Sequence, residues 1–227
     1  MADASDSHRS VSNRAITGSS PKTTPEPPIV FVLDDDLNVR EALSGLLSSV
    51  GLQVSSFGSA AELLRGMGSR SPSCLILDLQ LPDGSGLELQ RELAKTNGPP
   101  IVFISGYGDI PSSVRAIRAG AIEFLPKPFS DEELLEAVDK AIDQDRRERR
   151  DREDLAKLQK SYALLSARER EVLPLIVAGF TNKHSAERLG IAEITLQVHR
   201  GQIMRKMAAK SVPDLVRMAS KLGVIRS

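Results

Sequence analysis

The chain has 227 residues, with 30 Lys/Arg balancing 30 Asp/Glu, 41% hydrophobic and 26% charged. That is enough for one large globular domain or two small ones, and no apolar stretch approaches the ~20 residues that span a bilayer. A single cysteine, Cys74, excludes an intrachain disulfide, the three scattered histidines argue against zinc, and the absence of a signal-peptide core predicts a cytoplasmic protein.

Residues 1–28 are rich in Ser, Thr and Pro without apolar periodicity, which predicts a disordered leader. A strand follows over Ile29–Leu33 and runs straight into Asp34-Asp35-Asp36. Helical spacing of Val39, Leu43, Leu46, Leu47 and Val50 predicts a helix that stops at Gly51. Gln53–Phe57 reads as a weaker strand and Ala60–Met67 as a short helix. The third strand is Cys74–Leu77, followed by a helix over Gly86–Leu93. Ile101–Ile104 and Pro111–Ala119 form the next strand and helix. The fifth strand is Ile122–Leu125, and Asp131–Ile142 is a helix opened by a Ser130/Glu133 capping box. Strand and helix thus alternate five times. Continuous apolar runs in the first, third and fourth strands are those of a parallel sheet covered by helices on both faces. The fold class is therefore α/β, a doubly wound five-stranded parallel sheet.

Gln144–Lys160 is almost wholly charged and continues the preceding helix as a solvated linker. Leu155 and Leu158 make too thin a stripe for a coiled coil. Beyond it the charge changes sign. Residues 165–227 carry 11 Lys/Arg against 5 Asp/Glu, whereas residues 29–129 carry 8 against 11. A basic back half is the candidate for nucleic acid.

In a parallel sheet, ligands bind beyond the carboxyl ends of the strands. Those ends here carry Asp34 and Asp35, then Asp78, then Ser105, then Pro126-Lys127-Pro128. Carboxylate oxygens suit Mg²⁺, a lysine suits a phosphoryl group, and an aspartate can accept one. Each residue alone has an ordinary reading. An Asp after a strand is usually a turn or a cap, Lys127 a solvated cation, and Ser105 before Gly106 a turn residue. The weight lies in all of them standing at successive strand ends.

With "VLDDD", "LILDLQLPDGSG", "FISGYGD" and "GAIEFLPKPF" in order, residues 29–145 resemble the receiver domain of bacterial two-component response regulators, a flavodoxin-like fold. The resemblance implies Asp78 as phosphoacceptor and a Mg²⁺ site at Asp34, Asp35, Asp78 and the Gln80 backbone carbonyl. Asp35 is expected to bind the metal directly and Asp34 through water, with Asp36 left to the loop. It implies Ser105 as the hydroxyl on the phosphoryl group, Lys127 as its cation, Phe124 as the aromatic switch and a cis Lys127–Pro128 peptide. Ser105 stands in place of the usual Thr and keeps the hydroxyl without the methyl. Phe124 lacks the hydroxyl of Tyr-bearing members.

In the basic region, Ser166/Glu169 makes a second capping box for a helix through Ala178. Asn182–Leu189, a turn at Gly190 and Glu193–Met207 suggest a small all-α helix-turn-helix domain, although a plain helical bundle fits the same pattern. The stretch "LSAREREVLPLIVAGFTNKHSAERLGIAEITLQVHRGQIMRKM" resembles the LuxR-type DNA-binding domain. The receiver in front of it, with the ending "KSVPDLVRMA", resembles the FixJ/NarL class. Glu193–Met207 is then the recognition helix. Glu193, Thr195, Gln197, Arg200 and Gln202 are candidates for base or phosphate contact, and Lys183, His199, Arg205, Lys206 and Lys210 for phosphates. Val198 and Ile203 are expected in the core. Pro174 predicts a kink, Ser185 replaces an apolar residue, and Ala192 cannot cap as Ser would.

The expected organisation is a leader at 1–28, a receiver at 29–145, a linker helix at 146–162 and a DNA-binding domain at 163–227. The expected function is that of a phosphorylation-activated transcription regulator. Its partners are a sensor histidine kinase, double-stranded promoter DNA, RNA polymerase and, once phosphorylated, a second copy of itself. No membrane is involved. The chain is not expected to be an enzyme beyond its own phosphorylation and dephosphorylation. A Mg²⁺-dependent phosphohydrolase of the haloacid-dehalogenase type needs an acid two residues after its nucleophile, where Gln80 stands. Gly84-Ser85-Gly86 lacks the third glycine of a dinucleotide loop. A constitutive DNA-binding protein whose receiver only mediates interactions is the remaining alternative.

Overall fold

The computed structural model describes residues 27–68, 72–106 and 110–224; the leader expected at 1–28 lies almost wholly outside them. Strands β1 (Ile29–Leu33), β2 (Gln53–Phe57), β3 (Ser73–Asp78), β6 (Ile101–Ser105) and β7 (Glu123–Pro126) form one parallel sheet in the order β2-β1-β3-β6-β7. Between β3 and β6 a two-stranded antiparallel pair, β4 (Gln80–Leu81) and β5 (Gly84–Ser85), forms a tight hairpin. Four helices complete the crossovers: α1 (Leu37–Ser49), α2 (Ala60–Gly66), α3 (Gly86–Lys95) and α4 (Ile110–Arg118). The chain order reverses between β1 and β3, so a crevice opens at their carboxyl ends.

The apolar runs are continuous because the sheet buries both faces and successive side chains point to opposite sides. Val30, Val32, Cys74, Ile76, Val102 and Ile104 pack with Leu43 and Leu47 of α1 and with Leu134, Val138 and Ile142. Phe31, Leu33, Leu75, Leu77, Ile101 and Phe103 pack on the other face with Leu63, Leu87, Leu93 and Ala116. The weaker pattern of β2 has its reason in the topology, since an edge strand buries little of itself.

Helix α5 (Asp131–Ala163) opens with the Ser130/Glu133 capping box and runs for 33 residues, about 50 Å at 1.5 Å per residue. Its first three turns cover the sheet, and its last residues, Leu158 and Tyr162, pack on the C-terminal core. The divisions expected at 145/146 and 162/163 therefore fall within one helix. The C-terminal core gathers α6 (Ala167–Val177), α7 (Asn182–Leu189), α8 (Glu193–Lys206) and α9 (Val212–Lys221) around Val172, Leu173, Leu196, Ile203 and Leu215. Gly190 turns α7 into α8 with φ +65°, where only glycine sits without strain.

Several expectations need correction. Helix α1 starts at Leu37, not Val39, because the Asp36 side chain accepts from the Asn38 N–H and caps it. Helix α9 and the β4–β5 hairpin were not anticipated, although Ser211 caps α9 and Pro213 stands in its first turn. Val198 is not core but 56% exposed; Leu196 and Ile203 are buried, and Val198 lies about 200° round the helix from Leu196. Other expectations hold: helix α6 continues through Pro174 to Val177, with Ala178 at its end, and Ala192 makes no side-chain cap. Ser185 is buried and its hydroxyl has no partner among the described residues.

Candidate functional site: an acidic rim and a helix-turn-helix surface

The carboxyl ends of β1 and β3 lie side by side, with Leu33 and Leu77 in register, so the residues that follow them meet. Carboxylate oxygens of Asp34, Asp35 and Asp78 all lie within 4.8 Å of one another. Asp34 is fully buried, Asp78 nearly so, and Asp35 exposed. From the end of β7, Lys127 brings its ammonium to 2.7 Å from Asp34 Oδ2 and 3.7 Å from Asp78 Oδ2. The Lys127–Pro128 peptide is cis, as expected, and the Lys127 N–H donates to the Ser105 carbonyl at 2.8 Å. Ser105 is buried at the end of β6, directly beyond Ile104, the register partner of Asp78. Phe124 is half-buried and stacks on Phe103 with ring centroids 6.2 Å apart.

Burial holds the Asp78 carboxyl above its ordinary value. Lys127 pulls it down, Asp34 adds to the rise, and the N–H groups of Gln80 and Leu79 pull it down again. Three carboxylates are an all-oxygen donor set of the kind a hard divalent cation takes. Asp34, Asp35 and Asp78 are thus the residues that would hold Mg²⁺. Asp36, the third acid of the run, faces away as the α1 cap.

Three residues that motif reading missed hold this arrangement. The Arg40 guanidinium reaches back one turn and donates to the carbonyls of Asp34 and Asp35 at 2.7 and 2.9 Å, tying down the acidic loop. Gly86 passes so close to β3 that a Cβ there would lie 2.5 Å from the Asp78 carbonyl oxygen. Asp83, in the β4–β5 turn, accepts from the N–H groups of Ala60 and Ala61 and joins the hairpin to the start of α2. Gly86 and Asp83 stand at the two ends of "DGSG", while nothing in the local sequence marks Arg40.

Known proteins place this geometry. The family profile described as "Response regulator receiver domain" matches residues 30–139, and "Bacterial regulatory proteins, luxR family" matches residues 163–219. Nodulation protein W of Bradyrhizobium diazoefficiens is 48% identical over 197 residues, 86% of this chain and 87% of that protein. The chain belongs to the two-component response regulators of the FixJ/NarL class. Transcriptional regulatory protein FixJ of Azorhizobium caulinodans is 41% identical, covering 88% of this chain and 95% of its own. The solved response regulator StyR superposes with a TM-score of 0.77 at 44% identity, over 86% of this chain and 99% of that one. A response regulator of this build couples a receiver, and hence a histidine kinase, to a DNA-binding domain that regulates transcription. Receivers in general take Mg²⁺ at an acidic pocket, which the three aspartates here form. Among the described residues no helix is long and apolar enough to cross a membrane.

The response regulator's second surface is the outer side of α7 and α8. Lys183, Glu193, Thr195, Gln197, Arg205 and Lys210 are exposed, and His199, Arg200 and Gln202 are half-exposed. Ile194 and Val198 stand among them, 68% and 56% exposed. Arg205 bonds Gln202 one turn back on the same helix. Lys206 differs from the rest. Its ammonium bonds both carboxylate oxygens of Glu169, at 2.6 and 2.9 Å, and Glu169 also accepts from the Ser166 N–H at 2.7 Å. Burial pushes the Glu169 carboxyl up, but the bonds from Lys206 and Ser166 outweigh it and hold the group below its ordinary value. The same glutamate closes the α6 capping box and fastens the end of α8, so Lys206 is paired within the domain.

Proposed function

We propose that Asp78 accepts a phosphoryl group from the phosphohistidine of a sensor kinase, and that the modified receiver pairs two DNA-binding domains on a promoter. The observation that carries this reading is the convergence of Asp34, Asp35 and Asp78 with the Lys127 ammonium at one strand-end crevice. A carboxylate oxygen of Asp78 attacks phosphorus in line; the O–P bond forms, the P–N bond breaks, and the pair returns to the imidazole nitrogen. Mg²⁺ held by Asp34, Asp35, Asp78 and the Gln80 carbonyl would supply positive charge to the phosphoryl oxygens beside the carboxylates. Lys127 leaves its pairing with Asp34 to meet one phosphoryl oxygen, and the Ser105 hydroxyl meets another. The buried position of Asp34, already bonded to Lys127, and the exposure of Asp35 support Asp35 as the direct metal ligand and Asp34 as acting through water.

Phe124, half-buried beside Phe103, is the reporter of that change to the α4–β7 face. Ile110, Val114 and Ile117 form an apolar stripe on α4, 78%, 41% and 44% exposed, and supply the surface through which two phosphorylated receivers dimerise. The receiver ends at 145, the linker helix spans 146–162 and the DNA-binding domain begins at 163. In the cytoplasm the dimer places α8 of each copy in the major groove with Lys183, Glu193, Thr195, Gln197, His199, Arg200, Gln202, Arg205 and Lys210 facing DNA, and activates through RNA polymerase. Its only chemistry is on itself.

The test incubates the protein with acetyl phosphate and Mg²⁺ and reads the mass gain of one phosphoryl group, receiver dimerisation and affinity for promoter DNA. Wild type gains all three and Asp78→Asn gains none. Equal DNA affinity of the two proteins would sink the switch and leave a constitutive regulator whose receiver serves only as an interaction module.

A further inference from the structure

After Ile142, helix α5 has no apolar residue against the sheet, and among its remaining residues Asp145 alone is buried, 2% exposed. A carboxylate leaves water only where partners compensate. Here the Ser73 N–H donates to Asp145 Oδ2 at 2.7 Å, the Ser73 hydroxyl lies 3.4 Å away, and Arg149 Nε donates at 2.6 Å. Arg152 comes within 3.6 Å of the other oxygen. Arg149 also reaches the Ser73 hydroxyl at 3.4 Å, so two turns of α5 close on one residue. Ser73 is the first residue of β3, and Asp78 is the last. The strand that ends in the phosphoacceptor is therefore fastened, at its other end, to the helix that leads to the DNA-binding domain.

We propose that Asp145 is a positioning residue: it sets the direction in which the linker helix leaves the receiver, and thereby the spacing of the two DNA-binding domains in the assembled dimer. Among the described residues of α5, no other buried group lies beyond Ile142. Past Asp145 the helix carries only exposed or half-exposed residues until it meets the C-terminal core at Leu158. Without the clamp, the last fixed point moves back to Ile142 and the helix pivots about it. The consequence for DNA rests on the dimer proposed above. The consequence for the linker does not, and the two are measured separately.

Spin labels on full-length protein at Glu92→Cys in α3 and Glu187→Cys in α7 report the distance between the two domains. Cys74 is fully buried, with its thiol pushed far above its ordinary value first by burial and then by Asp145, so it stays unlabelled. The distance distribution is expected to broaden in Asp145→Ala and, to a lesser degree, in Asp145→Asn, which keeps an acceptor for the Ser73 N–H but loses the charge facing Arg149. Acetyl phosphate labelling of Asp78 stays at the wild-type level in both variants, which shows the receiver intact. Affinity of the phosphorylated protein falls about tenfold on a duplex with two half-sites and hardly at all on a single half-site, because only the paired site depends on domain spacing. A distance distribution as narrow as wild type in both variants overturns the proposal, even where stability drops, since that marks a staple internal to the receiver. A broadened distribution with equal losses on both duplexes keeps the pivot but overturns its role in spacing. Failure of wild type to respond to phosphorylation overturns the switch and leaves the distance result standing.

Discussion

Gly86 leaves no room for a side chain. An alanine methyl there meets the Asp78 carbonyl at 2.5 Å and the Phe103 ring at 3.0 Å, and the first of these is backbone that cannot swing aside. Gly86→Ala is expected to destabilise the receiver by about 2 kcal/mol, as overpacking does, and to slow acetyl phosphate labelling because the strain falls on Asp78 itself. Denaturant unfolding and labelling rates measure the two effects; an unaltered labelling rate would separate the glycine from the site. The Glu169–Lys206 pair carries the second prediction at this scale. A carboxyl held below its unfolded value, about 4.3, contributes stability that is complete above that pH and is lost as the pH falls through the folded value. Lys206→Met strands Glu169 and costs about 2 kcal/mol at neutral pH, less than a fully buried broken pair because Lys206 keeps some solvent contact. The gap between variant and wild type should close as the pH falls below the ordinary carboxylate range and through the depressed folded value of Glu169, where the group protonates in wild type too. Thermal unfolding across pH reads it, and a gap independent of pH would refute the assignment.

Among the elements, α8 is unusual in that the recognition helix starts without a side-chain cap, while α1, α2, α3, α5, α6, α7 and α9 each have one. Ala192 has the extended backbone of a cap residue, φ −68° and ψ 145°, but no oxygen to offer. Ala192→Ser is expected to raise domain stability by about 1 kcal/mol, visible as a higher unfolding midpoint. An unchanged midpoint would mean that the exposed N–H groups are already served by water. Elsewhere caps explain where elements begin. Asp36 caps α1 so that it starts two residues before Val39, and Ser211 caps α9 at Val212.

At the scale of the whole molecule the two halves divide the charge, acidic in front and basic behind. DNA binding by the basic half should weaken steeply with salt, because each lysine or arginine on a phosphate releases a counterion and adds about 0.9 to the slope of log affinity against log salt. Lys210→Ala is expected to reduce that slope by about 1 per bound domain, whereas Lys206→Met should leave it unaltered, since Lys206 is spent on Glu169. Equal slopes for wild type and Lys210→Ala would remove Lys210 from the phosphate contacts. One long helix joins the halves, so whatever sets the angle of α5 at the receiver is felt at the far end, about 50 Å of helix in total.

Much of this was legible in the sequence, for local reasons. Apolar runs long enough for a strand, ending in Asp, Asp, Ser and Lys at successive steps, define both a parallel sheet and the rim on which its chemistry sits, because strand direction carries every carboxyl end to one side. Capping boxes at Ser130 and Ser166 announced α5 and α6 through bonds between residues three apart. What the sequence could not decide depended on partners far along the chain. Ser73 meets Asp145, 72 residues on, and Glu169 claims Lys206, 37 residues on. Val198 was expected inside for the same reason. It lies on a helix whose inner face is chosen by α6 and its neighbours, and only packing in three dimensions selects which side of a helix turns inward.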